Sequence, residues 1–199
     1  MTTIAVGCDH AGYNLKKHLA EHLEGLGYEV LDLGSDSTDR VDYPEYGAAV
    51  GRAVVSGEAK YGVCVCGSGV GISIAANKIS GVRAALVNDP ASAELARQHN
   101  DANVLCFGER STEFEVAEAA LEAWLNAEFE GGRHLTRVEK LYDLSKLNDW
   151  DVLTPREASE VTRRAWARPR SPSRRAADRV RGGVSRLREV CDARRARRG

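Results

Sequence analysis

Through the first 150 positions, apolar residues fall into short unbroken runs separated by longer stretches where they recur every three or four places. The runs Thr3 to Cys8, Glu29 to Leu33, Tyr61 to Cys66, Val82 to Val87 and Asn103 to Phe107 read as five strands. Between them lie helical patterns. Leu15, Leu19, Leu23 and Leu26 form the first; Tyr46 to Val55, Ile72 to Ile79 and Ala91 to His99 follow. Phe114 to Phe129 comes after the fifth strand, and a shorter helical segment begins near Arg133. Strands without polar alternation belong in a parallel sheet covered on both faces by helices. The pattern predicts an α/β fold, a three-layer α/β/α sandwich on a five-stranded parallel sheet.

A chain of 199 residues and 21.6 kDa suits one domain with a short appendage. With no apolar run long enough for a bilayer and no leader pattern at the start, a cytoplasmic protein is expected. The five cysteines (Cys8, Cys64, Cys66, Cys106 and Cys191) are odd in number and lie mostly in apolar runs, so they read as reduced thiols.

The net charge of −1 conceals two unlike materials. Residues 1–154 hold 13 basic against 24 acidic side chains, a balance of −11; residues 155–199 hold 15 against 5, a balance of +10. All fifteen tail bases are arginine, and three of the five prolines lie there. Such a segment buries too little surface to offset its ordering entropy. The expected division is therefore a folded domain over 1–150 and an arginine-rich, disordered extension over 151–199. The extension reads as solvated; the functional alternative is an arm for nucleic acid or an acidic surface.

In open α/β sheets ligands bind beyond the carboxyl ends of the strands. Asp9 and His10 follow the first run, Asn88 and Asp89 the fourth, and Gly108 and Arg110 the fifth. Behind the third run, Gly67-Ser-Gly-Val-Gly71 opens a helix. Its glycines leave backbone N–H groups free to approach an anion, and the helix start adds positive partial charge. Cys66 stands directly before this start, where a thiolate is stabilised. Cys64, two residues back on the same side, reads as a buried inert thiol. Neither a second cysteine pair nor a His-x-His cluster completes a metal site, so no metal is expected. His99 and Asn100 end a helical pattern. Arg133, His134 and Arg137 gather positive charge on an otherwise acidic body, with Arg133 and Arg137 four apart on one helical face, as a phosphate dianion requires.

Several segments together resemble one family. They are Gly7-Cys-Asp-His-Ala-Gly12, Val41-Asp-Tyr-Pro44, Cys66 through Lys78, Arg97-Gln-His-Asn-Asp101, Asn103 through Gly108 and Glu130-Gly-Gly-Arg-His134. They are similar to the type B ribose-5-phosphate isomerases, whose family also holds the galactose-6-phosphate and allose-6-phosphate isomerases. The resemblance implies a Rossmann-like sandwich of strand order 2-1-3-5-4 and a homodimer or dimer of dimers whose active sites are shared between subunits. It also implies a phosphorylated sugar as substrate in the pentose phosphate pathway, and no cofactor. By the same resemblance Cys66 is the base that moves a proton between carbons 1 and 2. The amides of Gly67, Gly69, Val70 and Gly71 hold the enediolate oxygen, Ser68 and His99 open the sugar ring, and Asp9 and Asn100 bind hydroxyls. His10, Arg110, Arg133, His134 and Arg137 hold the phosphate. Other branches carry a glutamate farther along the loop, but Val70 to Ile72 contains no acid, which favours Cys66. Two readings compete outside isomerase chemistry: a flavodoxin-like nucleotide-binding regulator, and a redox switch built on Cys64 and Cys66. Within it, the sugar could instead be galactose 6-phosphate, allose 6-phosphate or a tetrulose phosphate.

Overall fold

The computed structural model describes residues 1–147, with side chains as far as Tyr142. The arginine-rich extension over 151–199 lies outside the described residues. Five strands, β1 (Thr3–Cys8), β2 (Glu29–Asp32), β3 (Tyr61–Cys66), β4 (Ala84–Leu86) and β5 (Val104–Gly108), form one parallel sheet in the order β2-β1-β3-β5-β4. Six helices alternate with them: α1 (Tyr13–Gly25), α2 (Tyr43–Ser56), α3 (Val70–Ala76), α4 (Pro90–Asn100), α5 (Phe114–Asn126) and α6 (Leu135–Leu147).

Every second residue of the central strands faces the same helical layer, as the period of two requires. Ile4, Val6 and Cys8 of β1, Val63 and Val65 of β3, and Leu105 and Phe107 of β5 pack with Leu15, Leu19 and Leu23 of α1 and Leu121 and Trp124 of α5. The alternate residues, among them Ala5, Cys64, Cys66 and Cys106, face Val50 and Ala53 of α2 and Ile72 and Ala76 of α3. Cys64 and Cys66 therefore share a face, as their spacing predicts. A three-layer sandwich follows.

Where the elements differ from the sequence reading, side chains explain it. β4 is shorter than the run Val82 to Val87 because the Arg83 N–H bonds to Asn103 Oδ1 at 2.8 Å instead of to a neighbouring strand. α3 stops at Ala76 because the Asn77 amide turns away to bond the Ala84 N–H and carbonyl, closing the helix onto β4. α2 starts three residues earlier than Tyr46, with Pro44 in its first turn, where the missing N–H costs no helical bond.

The order β2-β1-β3 sends the chain from β1 outward to one side and back to β3 on the other. This opens a crevice at the carboxyl ends of β1 and β3. Cys8 is in register with Val65, and Cys66 with Gly108, so Asp9, Cys66 and the residues after Gly108 emerge at one edge.

Candidate active site

Cys66 is the last residue of β3, and its sulfur accepts a hydrogen bond from the Gly69 N–H at 3.1 Å. The bond is possible because Gly69 adopts φ +73°, folding the loop back over the strand end. A methyl group there would lie 2.4 Å from Leu86 Cδ1 and 2.8 Å from the Phe107 carbonyl carbon. Cys66 is 4% exposed, whereas Cys8, Cys64 and Cys106 are fully covered, so Cys66 alone among these four reaches the crevice. Burial pushes the Cys8 thiol up to about 11. The hydrogen bond it shares with Cys64, which favours the protonated thiol, holds Cys106 well above the ordinary thiol range, and burial adds to this. Both remain neutral, inert thiols.

Around this sulfur the crevice gathers several expected residues. The Asp9 carboxylate accepts from the Ala11 N–H at 2.9 Å, capping a single helical turn over His10–Gly12. His10 Nδ1 lies 3.0 Å from the Val41 carbonyl oxygen. The Arg110 N–H bonds the Gly67 carbonyl at 3.1 Å, and its guanidinium carbon stands 3.2 Å from where a Gly67 side chain would begin. Arg110 thus covers the glycine loop with a fixed positive charge. Ser68 is exposed at the rim. Two side chains not singled out from sequence complete this edge. The Tyr43 ring packs on Gly71, leaving only 2.6 Å for any added Cβ. Glu109 caps α1 by accepting from the Leu15 N–H at 2.9 Å and from Asn14 at 3.1 Å.

The remaining expected residues are elsewhere. Because α4 runs antiparallel to the strands, its last turn reaches the amino ends of β3 and β5. There the Arg97 guanidinium lies 5.0 Å from the Tyr61 ring centroid, and the Asn100 carbonyl accepts from Arg83. His99 stacks on His134 with ring centroids 4.2 Å apart and planes inclined by 8°. Glu130 Oε2 is 3.9 Å from His99 Nε2 and 3.6 Å from His134 Nε2. Arg133 and His134 sit in a tight helical turn over Gly132–His134 ahead of α6, which carries Arg137, so the two arginines flank one junction rather than a single helix. Arg133 Nε donates to His134 Nε2 at 3.1 Å. Burial, and then the charges of His99 and Arg133, lower the His134 pKa from its ordinary value. Glu130 and Tyr43 belong to segments that carry the family resemblance, and that is the signal that finds them.

The expected residues thus form two groups. Asp9, His10, Cys66 to Gly71 and Arg110 lie at the carboxyl edge; His99, Asn100, Arg133, His134 and Arg137 lie around the opposite end of α4. The five residue steps of β3 alone separate them by about 16 Å.

The family model described as Ribose/Galactose Isomerase matches residues 4–141, which contain both groups. The chain belongs to the ribose/galactose isomerase family. Its resemblance to individual members of that isomerase family is extensive. It is 52% identical over 141 residues to ribose-5-phosphate isomerase B of Escherichia coli, covering 71% of this chain and 95% of that one. The Clostridium thermocellum ribose-5-phosphate isomerase B structure superposes with a TM-score of 0.72 at 48% identity, covering 73% of this chain and 98% of that one. The Trypanosoma brucei type B enzyme gives 0.70 at 44%, covering 72% and 99%. These matches favour an isomerase over the nucleotide-binding and redox-switch readings.

Proposed function

We propose that this protein interconverts ribose 5-phosphate and ribulose 5-phosphate by proton transfer through a cis-enediolate. The observation that carries this reading is the Cys66 sulfur, at the carboxyl end of β3, accepting the Gly69 N–H. A C–H beside a carbonyl is weakly acidic, so its removal needs a base and donors for the oxygen that gains charge. In this reading Cys66 takes the proton from carbon 2 of the open aldose and electrons move to the carbonyl oxygen; the 2-hydroxyl proton then passes to oxygen 1 as the C2=O bond forms, and the proton held by Cys66 is delivered to carbon 1. The Gly69 N–H serves the sulfur. This leaves the neighbouring amides of Gly67 and Gly71 for the enediolate oxygen, joined by that of Val70 when substrate displaces its 3.4 Å bond to Ser68 Oγ; one such donor is worth about 3 kcal/mol. Ring opening, assigned to His99 with Ser68, moves the anomeric hydroxyl proton to the ring oxygen. Asp9 and Asn100 bind hydroxyls, while His10, Arg110, Arg133, His134 and Arg137 hold the phosphate and orient the reacting carbons.

Two groups at opposite ends of one subunit build a site only if a second copy brings its α4–α6 end to the first copy's crevice. A homodimer, alone or doubled, is therefore part of the proposal. The exposed flank fits it: Leu135, Leu141 and Tyr142 on α6 and Val70 and Ile74 on α3 all face outward in the single chain. Four buried free thiols suit a reducing, cytoplasmic setting. Among the described residues, no helix is long and apolar enough to cross a membrane.

The test is turnover of ribose 5-phosphate with chelator present. Cys66→Ala should fall at least a thousandfold, in the range that loss of a positioned acid–base group produces, with folding retained. Co-refolded Cys66→Ala and Arg133→Ala/Arg137→Ala chains, each inactive, should recover about a quarter of wild-type activity, because half the dimers are mixed and each has one intact site. Full activity in Cys66→Ala refutes the base; no recovery on mixing refutes the shared site. Because the family description also includes galactose, the same assay on galactose 6-phosphate and allose 6-phosphate decides the sugar.

A further inference from the structure

We propose that His99, Glu130 and His134 form a binding site for a divalent transition-metal ion of the Zn2+ class, and that the ion acts as an inhibitor of the enzyme. Their ligand atoms lie within 4.8 Å of one another. Two imidazole nitrogens and one carboxylate oxygen make a common protein donor set for Zn2+. Tetrahedral coordination with bonds of about 2.0–2.2 Å requires donors roughly 3.3 Å apart. The Glu130 oxygen, at 3.6 Å from one imidazole nitrogen and 3.9 Å from the other, need close by only a fraction of an ångström. The stacked rings must splay so that both lone pairs point to one centre. His99, part exposed on the last turn of α4, can rotate to do so.

Two features make the trio more than a chance meeting. The His134 side chain is 6% exposed, and its Nε2 accepts from Arg133 Nε, so this buried nitrogen carries a lone pair. A metal ion takes that same form of imidazole. The Glu130 N–H, in turn, bonds the Gln98 carbonyl at 3.0 Å, fastening the segment that carries Glu130 and His134 to the helical turn that carries His99. The donors are therefore brought together by backbone structure. Arg133 is exposed and must swing aside, and it and Arg137 oppose a dication. The ion therefore binds more weakly than at a structural zinc site.

Binding follows from the donors alone. Inhibition rests on the function proposed above, in which His99 and His134 handle the substrate: an ion holding both nitrogens removes the ring-opening group and excludes the phosphate.

Co2+ and Zn2+ titrated into the metal-free full-length chain test this, read by the visible absorption of nitrogen- and oxygen-ligated Co2+ and by calorimetry with Zn2+. One equivalent per chain is expected. Glu130→Gln and His134→Asn should each weaken binding at least about tenfold. A His18→Gln/His22→Gln protein should bind as wild type, since it loses only the separate His18, His22, Glu118 and Glu122 group between α1 and α5. Unchanged titration in both Glu130→Gln and His134→Asn overturns the site. Zn2+ should also inhibit turnover reversibly, with ribose 5-phosphate and the metal competing. Binding without inhibition overturns the inhibitory role. Were the wild type inactive on every sugar phosphate, the functional reading would fail while the Co2+ titration still decided the site.

Discussion

Gly69 and Gly27 both have positive φ, +73° and +86°, yet their surroundings differ completely. A Cβ on Gly27 meets nothing within 4 Å, whereas one on Gly69 meets the β5 backbone and Leu86. Gly27→Ala should therefore cost only the left-handed conformation, about 1 kcal/mol. Gly69→Ala carries that cost plus about 2 kcal/mol of overpacking against backbone that cannot give way. At roughly 3 °C per kcal/mol for a chain this size, the expected losses of melting temperature are about 3 °C and about 9 °C. The difference also reaches function. Moving Gly69 breaks its N–H bond to the Cys66 sulfur, so Gly69→Ala should lose turnover at least tenfold while Gly27→Ala keeps it. Calorimetry on both proteins, with ribose 5-phosphate assays below the lower melting point, measures both. Equal melting temperatures and equal activities would refute the account of the loop.

Three further expectations concern stability. Lys16, 5% exposed, pairs with the half-exposed Asp32 carboxylate at 2.5 Å. Asp32→Asn should therefore cost about 3 kcal/mol in urea denaturation by stranding a buried ammonium, and Lys16→Met distinctly less, because Asp32 keeps its water. Glu109→Ala should lose about 1 kcal/mol, the worth of a helix cap, without abolishing activity. His134 is held below its ordinary pKa, so in acid the unfolded chain takes up this proton first. Its contribution is complete above the unfolded value and is lost as pH falls from there through the folded one. With chelator present, the urea midpoint should drop between about pH 7 and 5.5 more steeply in wild type than in His134→Gln.

Much of this was legible in the chain. The strand runs and the Leu15, Leu19, Leu23 periodicity predict the sandwich because each element buries one face, and burial is what periodicity records. The glycine loop behind Cys66 is legible because close approach permits few residues. Helix and strand ends are less so: Asn77 and Asn103 end elements through side-chain bonds to residues seven and twenty positions away, beyond the reach of local periodicity. The meeting of His99 with Glu130 and His134 was illegible for the same reason. Their spacings of thirty-one and four resemble no metal motif, and only the return of the chain after α5 to the end of α4 unites them. Nor does spacing reveal that Cys66 and His99 point from opposite ends of the sheet. That requires the direction of α4, which the α/β alternation implies but a list of candidate residues conceals.

Strand polarity has one more consequence. No rearrangement short of unfolding carries the end of α4 across the sheet to the loop after β3, so under the proposed shared site a newly made polypeptide that has folded perfectly would still be chemically silent. On that proposal competence would arrive with the second encounter, and at high dilution the rate should grow with the square of protein concentration. Scarcity of the protein would then switch the chemistry off more sharply than a proportional loss.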